Sequence, residues 1–212
     1  MKMLKSRQKA LWLVLIFCCG ALIAAACGKS GKDEAAAASE PASETPAVQT
    51  PAPPAADPYA GWIEYGSDPY GFSVMTPKSF DLSRDTSETE AGDIGLVTFL
   101  AELETASYGV VCSEFTQEFI DKADPEIMLH SGSSGFLEKL SGTLTSERQI
   151  TLDGNPGLEI VMTGMSQGLD LFGKARFYLV GTRLYQVIVI AAKGEEDLPA
   201  IDHFLDSFNL KQ

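Results

Sequence analysis

Ala175-Arg176-Phe177-Tyr178-Leu179-Val180-Gly181-Thr182-Arg183-Leu184-Tyr185-Gln186-Val187-Ile188-Val189-Ile190-Ala191-Ala192 decides the fold. Two runs rich in aromatic and β-branched residues flank a two-residue loop with glycine first. That arrangement predicts a hairpin closed by a type II′ turn. The register then pairs Leu179 with Leu184 and Tyr178 with Tyr185, on opposite faces of the sheet. Val187 through Ile190 are apolar whichever way they point. A strand apolar on both faces must be covered on both faces.

Strand patterns continue outward from this hairpin. Thr143 to Leu152 leads into Asp153-Gly154, a strong hairpin signal, and Leu158 to Thr163 follows it. Leu169 opens a further strand pattern. Ile94 to Leu103 and Tyr108 to Phe115 flank a bend at Thr105-Ala106-Ser107, and Gly71 to Thr76 alternates before stopping at Pro77. Two helical stretches supply the covering layers. Asp124-Pro125 offers an N-cap and a proline in the first turn, followed by Leu129, Phe136, Leu137 and Leu140 on one stripe. Gly132 and Gly135 are expected to weaken or break that helix. The second runs from about Glu195, with Leu198, Ile201, Leu205 and Phe208 at helical spacing. The expected class is α/β: an α/β/α sandwich around an antiparallel sheet of six or seven strands.

The same residues resemble the PsbP-like family. The match runs through Tyr70-Gly71-Phe72-Ser73-Val74 to Pro77, then Asp153-Gly154-Asn155-Pro156-Gly157-Leu158-Glu159. It continues in Arg176 to Val180 and Arg183 to Val187, and closes with Phe204-Leu205-Asp206-Ser207-Phe208. The resemblance spans nearly all of residues 65–210 and implies an α/β/α sandwich. Members bind other proteins or serve as assembly factors, and the fold is shared with a Ran-binding nuclear import factor and several bacterial surface lipoproteins. No metal or catalytic residue of the family maps onto this chain.

Composition narrows the function classes. The chain has 212 residues, with 16 Lys+Arg against 29 Asp+Glu and a net charge of −13. Binding phosphate backbones needs a basic surface, so nucleic acid is an unsuitable partner. Two His and four scattered Cys leave too few soft ligands for a zinc or iron–sulfur centre, and no cofactor is expected. The charge is also unevenly placed. Residues 58–212 carry 10 basic against 24 acidic residues, a net charge of −14. Such an excess reads as a solvated surface, with a cationic partner as the alternative.

The first 26 residues have the layout of a signal peptide: Lys2, Lys5, Arg7 and Lys9, then an apolar run from Ala10 to Ala26. Leu22-Ile23-Ala24-Ala25-Ala26-Cys27 resembles a bacterial lipobox. Ala24 stands where leucine is more usual, while Ala26 and Gly28 fit. The resemblance implies cleavage between Ala26 and Cys27 and acylation of the Cys27 thiol, with palmitate among the chains that hold it to the membrane. An uncleaved anchor is the alternative, since the apolar run sits at the lower limit for spanning a bilayer. Residues 28–57 hold nine Ala and five Pro, with no aromatic, Leu or Ile. Such a segment cannot bury enough apolar surface to order itself. As an extended linker it reaches roughly 90 Å, at about 3.1 Å per residue. The expected organisation is therefore a signal peptide (1–26), a lipidated Cys27 with its linker (27–57), and one globular domain (58–212). The expected location is the outward face of the cell envelope, on the cytoplasmic or outer membrane.

Within the domain several motifs invite chemistry. Gly164-Met165-Ser166-Gln167-Gly168 matches the G-x-S-x-G pattern, and Asp170, Asp197, Asp202 and His203 follow in hydrolase order. The surroundings of Ser166 read as a strand–strand loop, whereas a nucleophile elbow needs a strand-to-helix turn. His130 precedes the polar stretch Ser131 to Gly135, read as a helix interruption or mobile loop, with an anion-binding turn as the alternative. Asp81, Asp85, Glu88, Glu90 and Asp93 read as a solvated acidic loop around Arg84, or else a weak cation site. Cys112 reads as a small buried residue, with pairing between chains as the other option. Trp62, Tyr65 and Tyr70 read as core or edge packing, or as an aromatic patch for a partner. The expected function is a lipid-anchored, exported, non-enzymatic binding or assembly module whose partner is an envelope or extracellular protein. Its alternatives are a serine hydrolase using Ser166 and His203, or a carrier of a small ligand or cation.

Overall fold

The computed structural model describes residues 57–89 and 92–211. The signal peptide, Ala26, Cys27, nearly all of the linker and Glu90 lie outside these residues. The chain order is β1 (Ile63–Ser67), β2 (Phe72–Thr76), β3 (Asp81–Thr89), β4 (Gly92–Glu102), β5 (Ala106–Glu114), α1 (Gln117–Ile120), α2 (Pro125–Lys139), β6 (Thr143–Leu152), β7 (Asn155–Ser166), β8 (Leu169–Val180), β9 (Arg183–Ala192), α3 (Leu198–Asp206) and β10 (Asn209–Leu210). Among the described residues, seven strands form one antiparallel sheet in the order β3-β4-β5-β9-β8-β7-β6. β1, β2 and β10 form a separate three-stranded sheet.

The central hairpin has the expected register, with Leu179 opposite Leu184 and Tyr178 opposite Tyr185. Gly181 adopts φ +56°, and a positive φ at the first loop position is what a type II′ turn requires. At the β6–β7 turn both Asp153 (φ +50°) and Gly154 (φ +81°) are left-handed, as in a type I′ turn. The two pairs on β8 and β9 enter different cores. Leu179 and Leu184 join the cluster beneath α2, with Phe136, Leu158, Ile160 and Ile188. Tyr178 and Tyr185 join the opposite cluster, with Phe72, Phe99, Val187 and Phe204. One side of the large sheet is thus covered by α2, with α1 and its flanking loops alongside. The other side is covered jointly by α3 and the small sheet.

The structure corrects four local expectations. Asp81 to Asp93 is not a loop: β3 pairs with β4 along its length, from Asp81 opposite Leu100 to Thr89 opposite Gly92. Helix α2 runs unbroken through Gly132 and Gly135, so His130 to Gly135 is neither an interruption nor an anion-binding turn. A Cβ at Gly132 would lie 3.2 Å from Leu184 Cδ2 and 3.3 Å from Phe177 Cδ1, so its absence lets the helix settle close to the sheet. Helix α3 begins at Leu198 rather than Glu195, because the Asp197 side chain caps it by accepting from Ala200 N at 3.2 Å. Finally, the β4–β5 bend is Leu103 to Thr105, with Ala106 and Ser107 already in β5.

Candidate functional site

Asp57 to Trp62 form a turn that lies on α3. Asp57 Oδ1 accepts from Tyr59 N at 2.9 Å, and Trp62 N donates to Tyr59 O at 2.8 Å. The turn sends Tyr59 and Trp62 onto His203. Tyr59 stacks on the imidazole with centroids 3.9 Å apart and planes 4° from parallel. Trp62 meets the same ring edge-on at 5.1 Å and reaches Tyr108 at 5.7 Å. His203 Nε2 is buried here without a hydrogen-bond partner among the described residues. Burial pushes the neighbouring Tyr108 hydroxyl up to about 12, and the Asp197 charge adds to the effect. These contacts form a clasp that fixes the amino-terminal end of the described residues to the third helix.

Tyr65 and Tyr70 have different neighbours. Tyr65 packs on Phe80 at 5.0 Å and Phe99 at 5.6 Å, while Tyr70 meets Phe99 at 5.6 Å. The Tyr70 carbonyl accepts from the Tyr185 hydroxyl at 2.7 Å, tying the small sheet's turn to β9. Trp62, Tyr65 and Tyr70 are all half-buried. Each packs in part on the α3-side core.

Ser166 and His203 are kept apart by the sheet. Ser166 ends β7 directly opposite Leu169 on β8, and Leu169 packs on the α2 side. His203 lies on the other side, against Tyr59 and Trp62. Gln167-Gly168 turns one strand into the next, so no helix follows the serine as an elbow would require. Asp202 is committed to Lys174 Nζ at 2.6 Å, and Asp197 caps α3. The G-x-S-x-G pattern is a β-turn signature here. On β3, Asp81 and Asp85 share a face but stand four residues apart, about 13 Å along an extended strand, so they do not converge as a ligand loop would make them. His130 lies between Glu126 at 3.9 Å and Glu147 at 3.6 Å.

Cys112 is 1 % exposed within the α3-side core, and burial pushes its thiol up to about 12. A buried, protonated thiol is a poor nucleophile. Native protein at pH 8 should therefore leave Cys112 unreacted with a disulfide reagent over an hour, and denaturant should release one equivalent per domain. Rapid native labelling would contradict this burial.

The most densely connected polar feature is an ion network facing α3. Glu159 on β7 sits between Arg148 on β6 and Arg176 on β8 in one cross-strand row. Its carboxylate accepts from Arg148 Nε at 2.8 Å and Arg176 Nε at 2.6 Å, with Lys174 Nζ at 4.0 Å. Arg176 Nη2 continues to Asp206 at 2.6 Å, so two bridges, Lys174–Asp202 and Arg176–Asp206, bolt α3 to β8. Burial alone would raise the Glu159 pKa, but the two arginines and Lys174 outweigh it and hold the carboxyl at about 2. Sequence reasoning does not single out this network by composition or motif. The signal for it is the Asp153-Gly154 turn, since a two-residue loop there places Arg148 opposite Glu159.

The chain is similar in structure to cyanobacterial PsbP (CyanoP) from Synechocystis sp. PCC 6803. The TM-score is 0.52 at 13 % identity, over 71 % of this chain and 93 % of that one. The fold is PsbP-like. LpqN of Mycobacterium tuberculosis, a protein involved in cell envelope biogenesis, matches 71 % of this chain and 91 % of its own, with a TM-score of 0.48 at 14 % identity. No protein-family model matches the chain, and no curated protein matches it in sequence. In this PsbP-like domain the sheet faces are given over to packing and the ion network, and the two members of the would-be hydrolase pair lie on opposite sides.

Proposed function

We propose that the protein is a lipid-anchored, non-enzymatic binding or assembly module displayed on the outward side of a bacterial cell envelope. The observation that carries this reading is the order of three segments: the lipobox Leu22 to Cys27, the Ala/Pro tract, and a domain whose first described residues are clasped to α3. Acylation at Cys27 anchors firmly only when more than one chain is attached. The linker holds an acidic domain away from anionic headgroups that would repel it. The half-buried residues Trp62, Tyr65 and Tyr70 are the surface offered to an envelope or extracellular protein partner, aromatic side chains being favoured interface anchors. The separation of Ser166 from His203 argues against the hydrolase alternative.

The test is metabolic labelling with an alkyne fatty acid in a bacterial host. Wild-type protein should take up the label and sediment with membranes, while Cys27→Ser should be unlabelled and leave the membrane fraction after a high-pH wash. A Cys27→Ser variant that still carried label would overturn the anchoring. Crosslinking from membranes with a photoreactive group at Trp62 or Tyr65 should give one discrete adduct, and its absence from both positions would remove the aromatic surface from the reading.

A further inference from the structure

The large sheet ends in two edge strands, and they differ. Among the described residues β3 and β6 each pair on one side only. β6 carries a register shift between Leu144 and Ser146, the kind of irregularity that blunts an edge against further pairing. β3 has no such shift: its nine residues pair with β4 one for one. Asp81 to Thr86 is exposed throughout. A regular, exposed edge is a template for another strand, whose backbone bonds give affinity and whose alternate side chains give specificity.

The backbone of this edge has a direction. The Thr86 N–H donates to Asp85 Oδ1 at 2.8 Å. Alternate residues of an edge strand turn both backbone groups outward, so Leu82, Arg84 and Thr86 are the ones that face away from β4. The side chains sort by the same alternation. Asp81 and Asp85 lie opposite Leu100 and Leu96, which belong to the α2-side core. Leu82 and Arg84 lie on the other face, opposite Phe99 and Val97 of the α3-side core. Leu82 is 42 % exposed, and Arg84 Nε donates to the Tyr70 hydroxyl at 3.4 Å. Neither Asp81 nor Asp85 has an ion-pair partner among the described residues.

We propose that the outer edge of β3 takes an extended basic segment of a partner protein as an added antiparallel strand. Two lysines or arginines four residues apart face Asp81 and Asp85, and a β-branched apolar residue on the opposite face meets Leu82. Charge selects this occupant. A domain of net charge −14 draws cationic segments and repels acidic ones. A second copy laid antiparallel about Ser83 sets Asp81 against Asp85, and one laid about Arg84 sets Arg84 against itself, so like charges oppose self-pairing. The chain's own Ala/Pro tract is unsuitable, because its five prolines lack the donors a ladder needs. The edge is independent of the lipid anchor and of Trp62 and Tyr65, so either reading can fail without the other.

Titration of the isotope-labelled full chain with the peptide acetyl-TKTTVKT-amide tests this. Laid antiparallel, the peptide sets its lysines opposite Asp85 and Asp81 and its valine opposite Leu82. Amide exchange at Leu82 and Arg84 should slow on binding, while Ser83 and Asp85, already turned toward β4, should keep their rates. Asp81→Asn and Asp85→Asn should each weaken binding about threefold, and added salt should weaken it in wild-type protein. The isomer acetyl-TKTTKVT-amide, whose lysines fall on opposite faces, should bind less well. No binding at millimolar peptide, equal binding of the isomer, unchanged affinity in both variants, or slowed exchange at β6 in place of β3 would overturn the proposal. Slowed exchange at Leu82 and Arg84 that grows with protein concentration before peptide is added would also overturn it, by giving the edge to a second copy.

Discussion

Glu159→Ala lowers the free energy of unfolding by about 3 kcal/mol, measured by urea denaturation with an unchanged m-value. The Glu159 side chain is 7 % exposed and Arg176 is 12 % exposed, so removing the acid strands a buried guanidinium beside Lys174. Deleting one partner of a buried ion pair costs more than the pair contributes, because the remaining charge is left uncompensated. The loss sits at the low end of that class because Arg176 keeps Asp206. Arg148→Ala provides the contrast. Its side chain is 65 % exposed, and its loss should cost within about 1 kcal/mol. Acid acts on the same group. The Glu159 pKa is about 2 in the folded state against 4.5 for an ordinary glutamate, so the unfolded chain takes up the proton first as pH falls. Its stabilisation is complete above the unfolded value and is lost between there and the folded one. Wild-type protein should therefore lose stability more steeply than Glu159→Gln below about pH 4.5. Parallel curves for the two proteins, or a Glu159→Ala loss below about 1 kcal/mol, would show that the network contributes little.

Phe204→Ala is expected to cost about 4 kcal/mol and to loosen α3 from the sheet. Phe204 is fully buried and meets Tyr108 edge-on at 5.3 Å, within the cluster that also holds Phe72, Phe99 and Val187. Truncation removes most of an aromatic side chain's burial and leaves a cavity that well-packed surroundings fill only in part. Hydrogen exchange should localise the damage. Amides of α3 should lose protection first, and the turn Asp57 to Trp62, whose aromatic rings rest on His203, should follow. Unchanged protection in that turn would mean that the clasp does not depend on the helix beneath it.

These two residues differ in how far sequence reading reaches them. Phe204 lies in the run Phe204 to Phe208 and between positions of an amphipathic stripe, where a 3.6-residue period marks the buried side. The strands buried on both faces are equally legible, because nothing on Val187 to Ile190 tolerates water. β3 is not, and the reason is physical. It is an edge strand, paired on one side only, and Asp81 to Thr86 is exposed throughout. Period-two alternation needs one buried face, and Asp81-Leu82-Ser83-Arg84-Asp85 has none. The unbroken α2 is obscured by its glycines; the helix cost of Gly132 is offset by close packing on Phe177 and Leu184, while Gly135 faces open space. The aromatic candidates are legible as residues but not as neighbours: only tertiary structure divides Trp62, at α3, from Tyr65 and Tyr70, around Phe99.

The clasp of Tyr59 and Trp62 on His203 has a mechanical side. Any tension transmitted from the amino-terminal direction arrives at Asp57 and must pass through that turn before reaching β1. Among the described residues β1 pairs in the small sheet with β2 alone, and β2 is paired on its other edge by the two residues of β10. The seven-stranded sheet meets this path through ring contacts, Trp62 on Tyr108 and Tyr65 on Phe99, and not through strand pairing. One stacked ring and an indole edge act as a strain relief, taking up a tug at α3 before the hydrogen bonds of the small sheet are put in shear. Removing those rings should make β1 the first element to peel under force, while the large sheet keeps its shape.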